Sequence, residues 1–184
     1  MPKPPGLSFS HLGLCARDMP LMEAFYVKVL GFFVTDRGNL DTPRGPVDLV
    51  FLSRDPEEHH QIVLASGRPE KLDFNIINQI SLRADSLATL QEFHRTVVAR
   101  GTPNLYAVTH GNALSIYFPD PEGNRIELFI DTPWYVNQPM RVEINLSQPE
   151  AGVMADAESH ARGLPGFRPR AVWRAEMAKM MGVQ

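Results

Sequence analysis

The chain has 184 residues, 43% of them hydrophobic and 21% charged, which is typical of an ordinary globular protein with one full domain or two fused half-domains. A net charge of −3 with no basic block, and the lack of an apolar run of transmembrane length, argue against nucleic acids and membranes as partners. The single cysteine excludes an intrachain disulfide and a cysteine-rich zinc site, and the opening Met-Pro-Lys-Pro-Pro is not a signal peptide, so we expect a reducing cytoplasm.

Residues 1–66 predict a unit with the order β-α-β-β-β. Asp18 is the expected N-cap of its helix, Pro20 suits the first turn and Gly31 ends the helix. The predicted segments are strand 7–16, helix 18–31, strand 32–35, a Gly- and Pro-rich loop 38–46, strand 47–53, an acidic turn 55–58 and strand 59–65.

A second unit of the same order is predicted over residues 67–131. Asp85 or Ser86 caps its helix, and Gly101 ends it. The predicted segments are a connector 67–73, strand 76–84, a helix to residue 100, and strands 106–110, 114–118 and 125–130.

The two units align at a constant offset of 68 positions, which pairs His11 with Gln79 and Val29 with Val97. A shared offset across strand and helix indicates duplication. Because neither half can cover its own sheet, we expect the sheets to pair. The expected fold class is α+β: paired βαβββ modules forming a half-open barrel around a metal or ligand site, with a C-terminal helical extension, in one structural domain. Inward positions on the first and last strands would carry His11, His60, Gln79 and Glu127.

Residues 132–184 lie outside the repeat and predict two helices. Ser147 and Glu150 fit a capping box for a helix over 149–162. Pro169 opens a last helix to about residue 181, with Trp173, Met177 and Met180 facing one way. This tail could pack on its own core, contact another subunit or cover a site.

Residues 114–130 predict a β-hairpin, because prolines, Gly123 and Asn124 supply turn chemistry between two β-rich runs. Glu127 lies in the second strand among apolar residues. A buried carboxylate there is unfavourable unless it is paired or binds a cation, and the alternatives are a salt bridge or a solvated strand face.

Several other residues could carry chemistry. His11 and Glu127 suit divalent iron, manganese or zinc, and Gln79 is a weaker third ligand or a hydrogen-bonding residue. One of the two residues His59 and His60 should face inward and could move protons near neutral pH. Further candidates for contacting a ligand are Tyr117 in the hairpin and His110 and Asn112 in a Gly-containing loop; Cys15 shares the face of His11 but is expected to be a small buried hydrophobe.

The paired units, the helix segment Met22-Glu-Ala-Phe-Tyr-Val-Lys-Val-Leu-Gly-Phe32 and the run Tyr117-Phe-Pro-Asp-Pro-Glu-Gly-Asn-Arg-Ile-Glu127 resemble the vicinal oxygen chelate superfamily over residues 7–131. This superfamily includes glyoxalase I, bleomycin-resistance proteins and type I extradiol ring-cleaving dioxygenases. The closing run is specific for the superfamily but discriminates poorly among reactions. Within it, the residues are most similar to the catalytic half of the extradiol dioxygenases.

That resemblance implies Fe(II), or alternatively Mn(II) or another divalent metal, held in the dioxygenases by two His and one Glu. His11 matches the first His and Glu127 the carboxylate. His60 falls on the acid–base His and Tyr117 on a second-sphere Tyr, and His110 lies near another second-sphere His at a different spacing.

One position departs from the dioxygenase pattern. Gln79 stands where the family has its second metal-binding His. A carboxamide should weaken iron binding, although glyoxalase-like relatives use Gln among their ligands.

The resemblance therefore predicts a metal-dependent oxidoreductase that acts with O2 on a small catechol-like aromatic substrate. Two alternatives stay open: a metal-dependent isomerase or lyase of the glyoxalase type, and a non-catalytic protein that binds an aromatic ligand. A homodimer is the expected oligomeric state.

Overall fold

A computed structural model describes residues 8–43 and 45–182. Within these ranges the fold is α+β, as predicted, and contains four helices and eleven strands. The N-terminal segment and Leu7, at the start of the first predicted strand, lie outside the described residues. None of the helices in the described part of the chain is both long and apolar enough to cross a bilayer.

The described chain divides into two compact units. The N-terminal unit comprises residues 8–78 and 120–124, and the C-terminal unit comprises residues 79–119 and 125–182, within the described ranges.

The N-terminal unit is a four-stranded sheet with one helix. Its elements are β1 (Leu12–Ala16), α1 (Met19–Lys28), β2 (Phe33–Thr42), β3 (Gly45–Ser53) and β4 (Ile62–Ser66). The strand order is β1-β4-β3-β2, with β1 parallel to β4 and the other pairs antiparallel. Asp18 caps α1 as predicted, since its carboxylate accepts a hydrogen bond from the backbone N–H of Leu21 at 2.9 Å. Met22 and Tyr26, on the inner side of α1, are fully buried.

The C-terminal unit repeats this topology. Its first elements are β5 (Ile80–Arg83), α2 (Leu87–Ala99), β6 (Tyr106–Thr109), β7 (Ala113–Pro119) and β8 (Arg125–Asp131). The strands β5-β8-β7-β6 correspond one by one to β1-β4-β3-β2, and β5 runs parallel to β8. The βαβββ order predicted for both units is therefore confirmed, and the first strand and first helix of each unit keep the offset noted in the sequence. The predicted half-open barrel concerns both sheets together and stays a prediction.

The tail belongs to the C-terminal unit. Its elements are β9 (Trp134–Tyr135), β10 (Val142–Glu143), α3 (Glu150–Arg162), β11 (Arg168–Pro169) and α4 (Arg170–Met181). β10 extends the second sheet by pairing with β6, and β11 pairs with β9. Trp173 of α4 stacks on Tyr135, with ring centroids 5.1 Å apart. Both predicted tail helices are confirmed. Of the three roles considered for the tail, its contacts support packing on its own unit.

Two local predictions about the tail are wrong. Pro149 is the N-cap of α3 and no side chain caps this helix, so Ser147 and Glu150 do not form a capping box. Met180 is 64% exposed and does not share the partly covered side of Trp173 and Met177.

The predicted loop at 38–46 is also wrong. Residues up to Thr42 continue β2, and β3 begins at Gly45, so the two strands form one long antiparallel hairpin. Asn39 faces Asp48 across it and donates a hydrogen bond to that carboxylate at 2.8 Å. The polar and glycine residues that predicted a loop are tolerated here because this end of the hairpin is largely exposed.

The turn between β7 and β8 depends on the buried carboxylate of Asp120. Its oxygens accept hydrogen bonds from the backbone N–H groups of Glu122 (3.0 Å) and Asn124 (2.9 Å) and from the side-chain amide of Asn124 (2.7 Å). Burial raises the pKa of Asp120, while these hydrogen bonds act in the opposite direction.

We predict that Asp120→Ala lowers the free energy of unfolding by about 2–4 kcal/mol, because it leaves buried donors without an acceptor. Asp120→Asn keeps the acceptor at Oδ1 but places an amide donor opposite the donating amide of Asn124, so it should lose about 1–2 kcal/mol, less than the alanine variant. Urea unfolding followed by far-UV circular dichroism measures both. Equal stability of the parent and the alanine variant would contradict this role of the turn.

Candidate functional site

The register of the second sheet places polar side chains around Glu127. Glu127 lies in β8 between β7 and β5, and its cross-strand partners are Tyr117 and Ser81. Tyr106 is the partner of Tyr117 on the next strand, and the two rings stack with centroids 4.9 Å apart. Cross-strand partners share one face of a sheet, so these four residues form a row across four strands.

Glu127 is 7% exposed, and its carboxylate accepts three hydrogen bonds. Tyr117 donates its hydroxyl to Oε1 at 2.5 Å, whereas Ser81 Oγ and Gln79 Nε2 donate to Oε2 at 2.5 and 2.8 Å. All three donors are neutral. Among the described residues, no Lys, Arg or His forms an ion pair with Glu127.

These three neutral donors leave the buried carboxylate of Glu127 without a compensating cation among the described residues of its own unit. Neutral hydrogen bonds lower the free energy of a buried carboxylate but do not neutralise it. Gln79 can present either its Nε2 or, after half a turn of the amide, its Oε1 to the same region. A carboxylate beside a carboxamide oxygen is a donor pair that suits a divalent cation such as Mn(II) or Fe(II).

Gln79 lies immediately before β5 rather than inside a strand as predicted, because β5 begins at Ile80. Its backbone is therefore outside the sheet ladder, and its amide still reaches Glu127 and Ser81. Ser81 is a member of the cluster that the sequence reasoning missed. Its position two residues after Gln79, on the strand parallel to β8, was the available signal.

Tyr117 connects Glu127 to a histidine. Its hydroxyl lies 2.9 Å from Nε2 of His110, whose Nδ1 lies 2.8 Å from the backbone carbonyl of Met140. Burial raises the pKa of the Tyr117 hydroxyl, and the hydrogen bond and negative charge of Glu127 raise it further. Tyr117 therefore keeps its proton at neutral pH and acts as a hydrogen-bond donor.

Asn112 follows His110 in the loop between β6 and β7. Its side-chain oxygen accepts a hydrogen bond from the backbone N–H of Val136 at 2.7 Å. This contact holds the loop against the tail.

The N-terminal unit brings three histidines together. The rings of His11 and His60 lie with centroids 4.3 Å apart, and Nδ1 of His59 lies 2.9 Å from Nδ1 of His60. Phe51 packs beside His60, with ring centroids 5.2 Å apart. Burial lowers the pKa of His60, and the neighbouring charges of His11 and His59 lower it further. His60 is therefore neutral at pH 7 and able to accept a proton.

The strand positions predicted for these histidines are wrong. His11 lies directly before β1, which begins at Leu12, and His59 and His60 precede β4, which begins at Ile62. Strand ends, where backbone pairing stops, leave the three side chains free to approach one another. Cys15 is exposed, so its predicted burial is also wrong.

The predicted metal ligands are distributed over the two units. Gln79 and Glu127 lie together in the C-terminal unit, and His11 lies in the N-terminal unit. Among residues 8–43 and 45–182, no group of three or more His, Cys, Asp or Glu is arranged to hold a metal ion. The predicted ligand set includes the side-chain amide of Gln79 and takes residues from both units, and it stays a prediction.

Comparisons with known proteins place the chain among relatives of this architecture. A family model described as the glyoxalase/bleomycin resistance protein/dioxygenase superfamily matches residues 8–128. Biphenyl-2,3-diol 1,2-dioxygenase 3 of Rhodococcus globerulus is 28% identical over 167 residues, which cover 85% of this chain and 83% of that protein. Biphenyl-2,3-diol 1,2-dioxygenase 2 of the same organism is 28% identical over 128 residues, covering 67% of this chain and 62% of that protein.

A solved structure supports the fold. The glyoxylase/bleomycin resistance protein/dioxygenase domain from Frankia sp. EAN1pec matches with a TM-score of 0.57 and 18% identity, over 68% of this chain and 98% of that chain. At this identity the likeness concerns the fold alone.

We predict that Tyr117→Phe lowers the free energy of unfolding of the metal-free protein by about 1–3 kcal/mol, because the buried Glu127 loses a donor. Tyr106→Phe keeps the stacked ring and the Tyr117 hydroxyl, and it should lose less than about 1 kcal/mol. Urea unfolding compares the two. A Tyr117→Phe protein as stable as the parent would show that this hydroxyl does not support Glu127.

Proposed function

Because the chain belongs to the glyoxalase/bleomycin resistance protein/dioxygenase superfamily, we propose that it is a metal-dependent dioxygenase that opens the ring of a catechol-like aromatic substrate with O2. The observation that carries this proposal is the buried Glu127 carboxylate, held only by the neutral donors Tyr117, Ser81 and Gln79 among the described residues. The similarity to two proteins named as biphenyl-2,3-diol dioxygenases supports the reaction class.

Glu127 and Gln79 would hold the metal within the C-terminal unit, and the family resemblance adds His11 as a further ligand. Fe(II) is the proposed ion, and the oxygen-rich donor set also suits Mn(II). When bound, the metal supplies adjacent coordination positions for the two substrate oxygens and for O2, and it stabilises negative charge that develops during the reaction.

The chain's own residues would handle protons and orientation. His60, neutral at pH 7, would accept the proton of one substrate hydroxyl and return it later. Tyr117, which stays protonated, would donate a hydrogen bond to a substrate or oxygen atom in place of Glu127. His110 would support Tyr117 from its other side, and Asn112, as part of the same loop, would shape the substrate-binding region.

The net reaction balances without a further oxidant or reductant. The ring carbon–carbon bond beside the diol breaks, and both atoms of O2 enter the product, one as a carbonyl oxygen and one in a carboxylate. The diol loses one proton to solvent. Substrate and O2 together supply all electrons.

Oxygen uptake by the Fe(II)-reconstituted protein tests this proposal. Biphenyl-2,3-diol or catechol should consume one O2 per molecule and form a ring-opened product. Hydroquinone, whose hydroxyl groups are not adjacent, is the matched control and should consume none in the same time. No uptake with a panel of catechols, despite bound metal, would overturn the dioxygenase proposal.

Gln79 favours one alternative function. Because glyoxalase-like relatives use Gln among their ligands, the same site could hold a metal for an isomerase or lyase, which would turn over without consuming O2. A protein that only binds an aromatic ligand would retain its affinity for that ligand in the presence of a chelator.

We predict opposite effects of two substitutions on metal binding. Glu127→Gln should remove stoichiometric Fe(II), because the only carboxylate of the proposed ligand set is lost. Gln79→His should raise Fe(II) affinity by at least about tenfold, because imidazole is a better ligand for iron than a neutral amide. Anaerobic Fe(II) titration with elemental analysis measures both, with the exposed Glu143→Gln as control. Full iron retention in Glu127→Gln would contradict the site.

We predict that His60→Gln lowers kcat for ring opening by about 10²- to 10⁴-fold, the usual contribution of general acid–base catalysis. Iron content should not change, because His60 is not a proposed ligand. His160→Gln, at an exposed position of α3, is the matched control and should stay within about threefold of the parent kcat. Equal losses in the two variants would refute a specific role of His60.

A further inference from the structure

The carbonyl groups of the loop that carries His110 are bound by the tail. The carbonyl of His110 accepts a hydrogen bond from Gln138 Nε2 at 2.7 Å, and the carbonyl of Gly111 accepts one from the Thr132 hydroxyl at 2.7 Å. The carbonyl of Asn112 accepts hydrogen bonds from the Thr132 backbone N–H at 3.1 Å and from Arg170 Nη1 at 2.8 Å. Every carbonyl of the three-residue loop is therefore bound by a residue outside the βαβββ repeat.

The same tail also sets the orientation of the His110 ring. Nδ1 of His110 lies 2.8 Å from the carbonyl oxygen of Met140, and a carbonyl can only accept a hydrogen bond. Nδ1 therefore carries a proton. The other nitrogen, Nε2, is turned toward the hydroxyl of Tyr117 at 2.9 Å.

Gly111 allows the tail to approach this closely. Its φ is +71°, and a Cβ atom at this position would lie 2.2 Å from Cγ2 of Val136. Both the backbone conformation and the contact require glycine. The backbone of the loop thus packs directly against side chains of residues 132–140, and this leaves the His110 ring little freedom to turn.

Arg170 joins this loop to the start of α4. Its Nη2 donates to Asp131 Oδ1 at 2.6 Å while its Nη1 reaches the Asn112 carbonyl, so the fixed geometry of the guanidinium sets the distance between β8 and the loop. The backbone N–H of Arg170 donates a hydrogen bond to the Pro133 carbonyl at 2.9 Å, which fixes the backbone position from which the Arg170 side chain extends.

Arg174, one turn further along α4, provides a natural comparison. It also faces Asp131, at 3.6 Å, but its side chain is 61% exposed and it donates no hydrogen bond to the loop. The two arginines therefore share a carboxylate partner and differ in contact with the His110 loop.

We propose that Arg170 is a positioning residue: through the Asn112 carbonyl it holds the His110 loop so that Nδ1–H of His110 stays on the Met140 carbonyl and Nε2 stays beside the Tyr117 hydroxyl. In catalytic terms this inference rests on the proposed function, because Tyr117 matters to the reaction only if the site is the one proposed. The tail, residues 132–182 of the C-terminal unit, is then part of the structure that supports the site.

The test uses ¹⁵N NMR of the metal-free, full-length protein at one fixed pH for all variants, with the His110 signals assigned from their loss in His110→Gln. In the parent, we expect a proton on Nδ1. Arg170→Ala should shift the population toward the Nε2–H tautomer that free histidine prefers, and Arg174→Ala should leave the parent spectrum unchanged. Far-UV circular dichroism checks that each variant is folded.

Kinetics add a second readout. In the Fe(II) protein, Arg170→Ala should lower kcat for ring opening by about tenfold or more with a smaller change in KM, and Arg174→Ala should not. If Arg170→Ala does not fold, Gln138→Ala, which removes the donor to the His110 carbonyl, should shift the same tautomer equilibrium in the same direction.

The outcomes separate the two proposals. An unchanged His110 tautomer in Arg170→Ala, or equal shifts in Arg170→Ala and Arg174→Ala, would overturn the positioning role. A tautomer shift specific to Arg170→Ala in a protein that turns over no catechol would support the positioning role while rejecting the dioxygenase function.

Discussion

The burial of one carboxylate, that of Glu127, is the constraint on which the rest of the site depends. A charged group that is 7% exposed in the middle of a sheet must be compensated, because its hydration is lost on folding. The chain places Tyr117 and Ser81 opposite it by strand register and brings Gln79 to it from the start of β5. Hydrogen bonds from neutral donors lower the free-energy cost of burying the carboxylate, and they leave it able to bind a cation.

The repeated topology explains how one scaffold provides two different clusters. Each βαβββ repeat ends in a strand that pairs in parallel with its first strand, so the residue before the first strand lies near the last strand in each. In the N-terminal unit this arrangement gathers His11 and His60, whereas in the C-terminal unit it gathers Gln79 and Glu127. His11 and Gln79 are equivalent positions of the repeat, and they belong to a cluster of bases in one unit and to a carboxylate with its hydrogen-bond donors in the other.

The sequence predicted the features that depend on local chemistry. The caps Asp18 and Ser86 and the turn before Glu127 have short-range signals, so the helices and the β7–β8 hairpin were located correctly. The β2–β3 hairpin was not located correctly, because strand pairing between β2 and β3 outweighs the loop preference of the residues at 38–46. The contacts of His110 with Met140 and of Asn112 with Arg170 join residues far apart in sequence, and no periodicity or motif predicts them.

The most direct test of the account is an anaerobic crystal structure of the protein with Fe(II), recorded with anomalous scattering at the iron edge. We expect an anomalous peak within bonding distance of a Glu127 oxygen, with the Gln79 amide turned to offer its Oε1 and the Tyr117 hydroxyl released from Glu127 Oε1 or shared with the ion's ligands. A fully loaded crystal with no anomalous density at Glu127, and with the three neutral donors unchanged around its carboxylate, would contradict it.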